Sequence, residues 1–227
     1  MNINEPCKDY KKIFGNIDIG PYSVAAKRFL PDKIKVLFIF ESPPFPPPIH
    51  PITKKDDLGW SYFYRYENKG SNSLRKEMCA ALFNKTITNH KEFLDEFSAE
   101  DYFLIDAVNY PINKIIEENK PLVKLNRNGE VDNREREKVI FCEAGDLVKT
   151  IGCWVNKSNS DIAEIKILLV KVSVFNGLMS CDNPFKKLAD IKNYNVLNTD
   201  TIPYPMVPNN VKFQAEVRRY LDIKFNN

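Results

Sequence analysis

Residues 34–51 read IKVLFIFESPPFPPPIHP, and the reading of this stretch decides the fold. Val36, Leu37, Phe38, Ile39 and Phe40 are apolar without a break. A strand with one wet face alternates, whereas an unbroken run suits a strand covered on both faces, the habit of parallel sheets. Pro43 and Pro44 have no N–H to give to a ladder, so the strand ends at Glu41 or Ser42. Glu41 is thereby placed at the C-terminal end of a central strand, where open α/β sheets hold their ligands. The plainer alternative is a strand terminus with a solvated carboxylate.

Working outward, residues 1–33 read as a helical or irregular lead-in, and 42–60 as a Pro-rich loop that leads into SYFYRY at 61–66. Leu74, Met78, Ala81 and Leu82 share one face of a helix over 72–83, with Ser71 or Asn72 as its N-cap. A short helix over 89–97 follows. DYFLIDAV at 101–108 is a second buried strand, and 109–132, with Pro111, Pro121 and Gly129, a long loop. Residues 133–157 form the longest helix. A third strand starts at 165 and runs on into a short helix by 178; a fourth covers 194–199. The loop IPYPMVPNN at 202–210 leads to a terminal helix over 211–223. This alternation predicts an α/β fold, a mainly parallel four-stranded sheet with helices on both faces, in one domain spanning 1–227.

Composition narrows the function classes. A formal charge of +3 over 227 residues gives no strong basic field, so a nucleic acid would have to be met by a local groove. No apolar run approaches the ~18 residues of a membrane span, and MNINEPCKDYKK lacks the apolar region of a signal peptide. The five cysteines are odd in number and show no C-x-x-C spacing, so reduced thiols and a cytoplasmic location are expected. Only Cys142, Cys153 and Cys181 come into question as zinc or iron–sulfur ligands, and the thiol reading is preferred; no metal or cofactor is expected. No G-x-G-x-x-G follows the first strand, which argues against a dinucleotide-binding enzyme.

In a parallel sheet the C-terminal strand ends gather on one side. The first strand delivers Glu41 and Ser42; the second Asp106, then Asn109 and Tyr110; the third Lys171, Ser173 and Asn176; the fourth Thr199, Asp200 and the loop carrying Tyr204. The SYFYRY segment adds Tyr62, Phe63 and Arg65. Aromatic faces stack on nucleobases, and carboxylates and amides read base edges. The competing reading of SYFYRY is an edge strand or packed loop.

In their order these residues resemble the uracil-DNA glycosylase superfamily. LFIFESPP is similar to its first motif, which puts the family's Glu on Glu41. GWSYFY at 59–64 is similar to the segment whose aromatic ring stacks on the flipped base, which falls on Tyr62 with Phe63 beside it. FLIDAV puts Asp106 where the family has its base-reading Asn, and PYPMVPNNVKF at 203–213 sits where the family presses a loop into the minor groove. The resemblance spans roughly residues 34–221 and implies a three-layer sandwich. It departs at three places: Pro43 stands where the main branch has its catalytic Asp, Ile202, Pro203 and Tyr204 occupy the place of the family His, and the cysteine pattern of the iron–sulfur branch is missing.

What the resemblance implies is hydrolysis of the N-glycosidic bond of a flipped, altered base in DNA. Glu41 is the expected catalytic carboxylate, holding water. Ser42, Tyr62, Phe63, Asp106, Asn109 and Tyr204 are the expected base-binding residues, with Tyr204 or Asn209 as a donor in place of His. Lys54, Lys55, Arg65, Lys69, Lys212 and Arg218 are the expected phosphate contacts, on a monomer. An ionised Asp106 only accepts hydrogen bonds and would repel uracil O4, so a base with an exocyclic amine or ring N–H is expected as readily as uracil. The alternative is a catalytically silent nucleic-acid or nucleotide binding module on the same fold.

Overall fold

The structure, a computed structural model, describes residues 7–14, 20–44, 62–66, 73–113, 115, 117–192 and 194–225. Four strands, β1 (Val36–Phe40), β2 (Tyr102–Asp106), β3 (Lys166–Leu169) and β4 (Asn195–Val196), form one all-parallel sheet in the order β2-β1-β3-β4. β1 lies inside the sheet and every one of its residues is buried, as its unbroken apolar run requires. The lead-in carries α1 (Tyr10–Phe14) and α2 (Gly20–Lys27).

Helices cover both faces of the sheet. Phe38 of β1 packs on Phe97 of α4 (His90–Ala99). Gln214 and Arg218 of α8 (Asn210–Leu221) bond α3 (Ser73–Phe83), which completes that layer. Phe103 is level with Leu37 and so points to the other face, where it meets Trp154 of α5 (Asn133–Lys157). There α6 (Val172–Leu178) and α7 (Pro184–Lys192) pack on α5. A Cβ on Gly177 of α6 would lie 2.9 Å from the Ile140 side chain and 3.0 Å from the Glu137 carbonyl of α5, so only glycine permits this approach.

Local chemistry explains the starts of the two helices that flank β2 in sequence. Asp132 caps α5, its side chain accepting from the Arg134 N–H, and Asn89 caps α4 in the same way. β2 lies at a sheet edge, and the Tyr64 hydroxyl covers it by accepting from Leu104 N–H at 2.7 Å and donating to Leu104 C=O at 3.0 Å. The long loop contains a 3₁₀ turn at Glu117–Leu122 and a bridge between Leu125 and Val131, closed through Gly129 at φ +75°.

Two expectations are corrected. The fourth strand does not span 194–199: β4 ends at Val196, and the Asn198 side chain takes over its pairing. Asn198 Oδ1 accepts from Leu169 N–H at 2.9 Å and Nδ2 donates to Leu169 C=O at 3.1 Å, so an amide side chain replaces a strand backbone. The five thiols are not all reduced either. Cys7 and Cys142 form a disulfide across 135 residues, because the lead-in is laid against α5; their Cα atoms are 5.7 Å apart, within normal disulfide reach. Cys142 is therefore not a thiolate ligand, and no metal-holding group of His, Cys, Asp or Glu occurs among the described residues. No helix among them is long and apolar enough to cross a membrane.

Candidate functional site

A cavity of about 470 Å³ opens at the C-terminal strand ends. Of the expected site residues it brings together Glu41, Ser42, Tyr62, Phe63, Asp106 and Tyr204, with Asn209 and Lys171. Glu41 and Asp106 close neighbouring strands: Asp106 is level with Phe40, and Glu41 follows Phe40.

The surroundings of these two carboxyls differ sharply. Glu41 is buried and fully engaged. Arg136 Nη1 donates to Oε2 at 3.2 Å, Lys171 Nζ to the same oxygen at 2.5 Å, and Ser173 Oγ to Oε1 at 2.5 Å. Lys171, held at φ +86°, is a non-glycine residue in sparsely populated backbone space, fixed there by its N–H bond to Ile202 C=O at 2.8 Å. Burial pulls the Lys171 ammonium below its ordinary pKa, and the Glu41 charge works the other way. A carboxylate clamped by two cations and a hydroxyl is held as an electrostatic anchor, with most of its acceptor sites already taken, which weighs against the water-holding role expected of Glu41.

Asp106, by contrast, has no hydrogen bond or ion pair from its side chain to any described residue. Desolvation first, and the nearby Glu41 charge second, push its carboxyl from 3.8 up to about 7. It is therefore poised to be donor and acceptor when protonated, or acceptor alone when ionised.

Aromatic rings wall the cavity around Asp106. Tyr62 is buried, edge-to-face with Tyr22, and donates its hydroxyl to the Tyr22 carbonyl at 3.0 Å. Phe63 lines the cavity, but its ring is also packed among Tyr64, Phe93 and Phe97, so it is part of the core. Tyr204 stands edge-to-face with Phe40, with Lys171 Nζ 5.8 Å from its ring centroid; burial, then the charges of Asp106 and Glu41, push its phenol up to about 12. Ser42 accepts weakly from Ile112 N–H at 3.4 Å.

Some expected residues are not in this cavity. Asn109 is exposed and lines an adjoining, smaller pocket of about 90 Å³, which shares Tyr62 and Asp106 with the main cavity and adds Tyr22, Thr150 and Trp154. Arg218 is taken up in the fold: its Nε and one terminal nitrogen donate to the carbonyls of Ala81 and Ala80, which lie in the last turn of α3 and lack helical partners. Arg65 is half-buried, and Lys212 is exposed on α8. Lys54, Lys55 and Lys69, with the caps Ser71 and Asn72, lie outside the described residues.

Sequence reasoning missed Arg136, Glu130 and Asn113, all of which line the cavity. A signal for Arg136 existed. Glu135 and Arg136 stand one helical turn before Val139 and Ile140, so two charged residues continue the buried stripe of α5. A charge on such a stripe needs a partner, and Arg136 finds Glu41 while Glu135 accepts from the Tyr10 hydroxyl at 3.1 Å. No protein-family model, no curated protein and no solved structure matches the chain.

Proposed function

We propose that this chain recognises a nucleobase in the strand-end cavity and hydrolyses its N-glycosidic bond in DNA, as a glycosylase of the uracil-DNA glycosylase kind. The observation that carries this reading is the uncommitted Asp106 carboxyl in an aromatic-walled cavity. A flat heterocycle needs apolar faces above and below it and a polar group at its edge. The volume suits a base with its sugar, within the roughly 300–1,000 Å³ range of small-ligand sites. The mouth is compatible with a nucleic acid: Met206 lines the cavity, Val207 beside it is 85% exposed, and an apolar tip of this kind can wedge between base steps.

In this mechanism Asp106 holds the base edge and Tyr62 and Tyr204 hold its faces. The Glu41–Arg136–Lys171 cluster fixes the ends of β1 and β3, so that the wall does not shift as charge develops. The test is an excision assay on single- and double-stranded oligonucleotides carrying a panel of altered bases. Base release lost in Asp106→Asn and Tyr62→Ala supports hydrolysis at this site; no release from any substrate rejects it. One observation favours the second reading, a binding module without catalysis: the carboxylate expected to hold water is saturated by Arg136, Lys171 and Ser173. On that reading oligonucleotides bind and no base is released.

A further inference from the structure

We propose that the base taken by this cavity is cationic, an N-alkylated purine or its like, held by Asp106 as counter-ion; this rests on the base-pocket reading above. The charge inventory of the wall points there. Among the described residues the cavity is lined by three carboxylates, Glu41, Asp106 and Glu130, and by two cations, Arg136 and Lys171. Both cations bond Glu41. Asp106, beside Glu41 at the sheet end, has neither a cation nor a hydrogen-bond donor from any described residue, and Tyr62, Phe63 and Tyr204 share its cavity.

A carboxylate desolvated without a partner is costly, and a cation in the same space removes the cost. Aromatic faces add attraction for a positively charged ring. An anionic ligand would meet the opposite: Glu41 already occupies the two cations, and Asp106 would repel it. Among the described residues, the titratable groups around Asp106 are Glu41 from β1, Tyr62 and Tyr64 from the aromatic segment, Tyr204 from the loop after β4, and Glu143 and Asp146 of α5, which line a small pocket with it. None of them supplies a positive charge.

The same chemistry accounts for the missing acid and base. When an alkylated, cationic base leaves, the C1′–N bond breaks and its electron pair goes to the ring nitrogen, cancelling the ring charge. The base departs neutral and needs no proton. A water oxygen then bonds C1′, and its proton is lost to solvent. A site that binds the cation and excludes other bases therefore has no need of a histidine or of a free Glu41.

Two isomeric nucleosides test the claim. 1-Methyladenosine carries a cationic ring at neutral pH, and N6-methyladenosine is neutral. By calorimetric titration at pH 7.5 the cation is expected to bind at least tenfold more tightly, and Asp106→Asn to abolish that preference. Equal binding of the two isomers, or a preference that survives Asp106→Asn, overturns the inference. Dimethyl sulfate-treated DNA and uracil-containing DNA separate this claim from the function beneath it. Release of methylated purines with uracil left in place supports both. Release of uracil alone leaves the glycosylase reading standing and removes the cationic specificity. Tighter binding of 1-methyladenosine with no base released from either DNA keeps the specificity and removes the hydrolysis. Failure to bind either nucleoside or to release any base removes both.

Discussion

Glu41 and Asp106 close neighbouring parallel strands and are offset by a single step, yet Glu41 has three partners and Asp106 has none among the described residues. The pleat makes the difference. Successive residues of a strand face opposite sides, so Glu41 follows Leu37 and Ile39 toward the layer of α5 and α6, where Arg136 and Ser173 stand. Asp106 is level with Phe40 and shares its side, where the neighbours are Tyr204 and Phe63. Two carboxyls at adjacent strand ends that line one cavity thus acquire different chemistry, because Arg136, Lys171 and Ser173 bond Glu41 and none of them bonds Asp106. The buried pair stabilises the sheet end, and the bare acid costs stability in order to remain available.

Breaking the clamp should give the largest effect. Glu41→Gln keeps the shape and leaves Arg136 and Lys171 without their counter-charge, which should cost about 3–5 kcal/mol. Urea unfolding at pH 7.5 measures it. A loss below about 1 kcal/mol would mean that the cluster is solvated and that the contrast between the two strand ends is not energetic.

Asp106→Asn should act in the opposite direction. The folded-state pKa of Asp106 is raised, so between pH 4 and 7 the unfolded chain releases a proton that the folded chain keeps. Stability of the native sequence therefore falls as pH rises through that window and levels off above about 7. The upper bound on this loss is roughly 4 kcal/mol, at about 1.4 kcal/mol per pKa unit. Burying the new amide offsets part of it, so the variant is expected to be more stable by about 2 kcal/mol at pH 8 and near equal to the parent below pH 4. Unfolding curves at the two pH values check the sign, and a variant less stable at pH 8 would show that Asp106 has a partner in the folded chain.

How much of this contrast was legible in sequence follows from which signals are local. The unbroken run of β1 announced a strand buried on both faces, and DYFLIDAV announced its neighbour, so both carboxyls were placed at strand ends. The limits of α5, 133–157, were equally plain. The side to which each carboxyl turns was not legible, because parity matters only once partners are arrayed above and below the sheet. β4 was overlong in sequence because Asn198 replaces backbone pairing with a side chain, which no propensity registers. No element is expected from sequence over 179–193, yet α7 starts there at a proline under the side chain of Asn183, whose Oδ1 accepts from Phe185 N–H at 2.7 Å. Cysteine spacing gave no hint of Cys7–Cys142, since only the folded path of the lead-in brings the two together.

Lys171→Met couples the two strand ends. Arg136 stays on Glu41, and Lys171 is the more exposed of the two cations, so the loss should be about 1–2 kcal/mol, less than for Glu41→Gln. The sharper readout is Asp106 itself. With Lys171 gone, the Glu41 charge is less compensated, and the Asp106 pKa should rise further, by about half a pH unit. Carboxyl carbon titration by NMR reports it directly. An unmoved Asp106 would show that the two sites are electrostatically independent despite their adjacency.

Tyr62→Phe should give the smallest change and tests the wall on the Asp106 side. The ring and its edge-to-face contact with Tyr22 remain, and the hydroxyl bond to the Tyr22 carbonyl is lost. The expected cost is about 1 kcal/mol, the net worth of one buried neutral hydrogen bond. Because stacking needs the ring and not the hydroxyl, binding of 1-methyladenosine should change less than twofold, whereas Tyr62→Ala should weaken it by the stacking contribution, about 1–3 kcal/mol. If Tyr62→Phe weakens binding as much as Tyr62→Ala does, the hydroxyl rather than the ring face meets the base, and Tyr62 belongs with Asp106 as an edge-reading group.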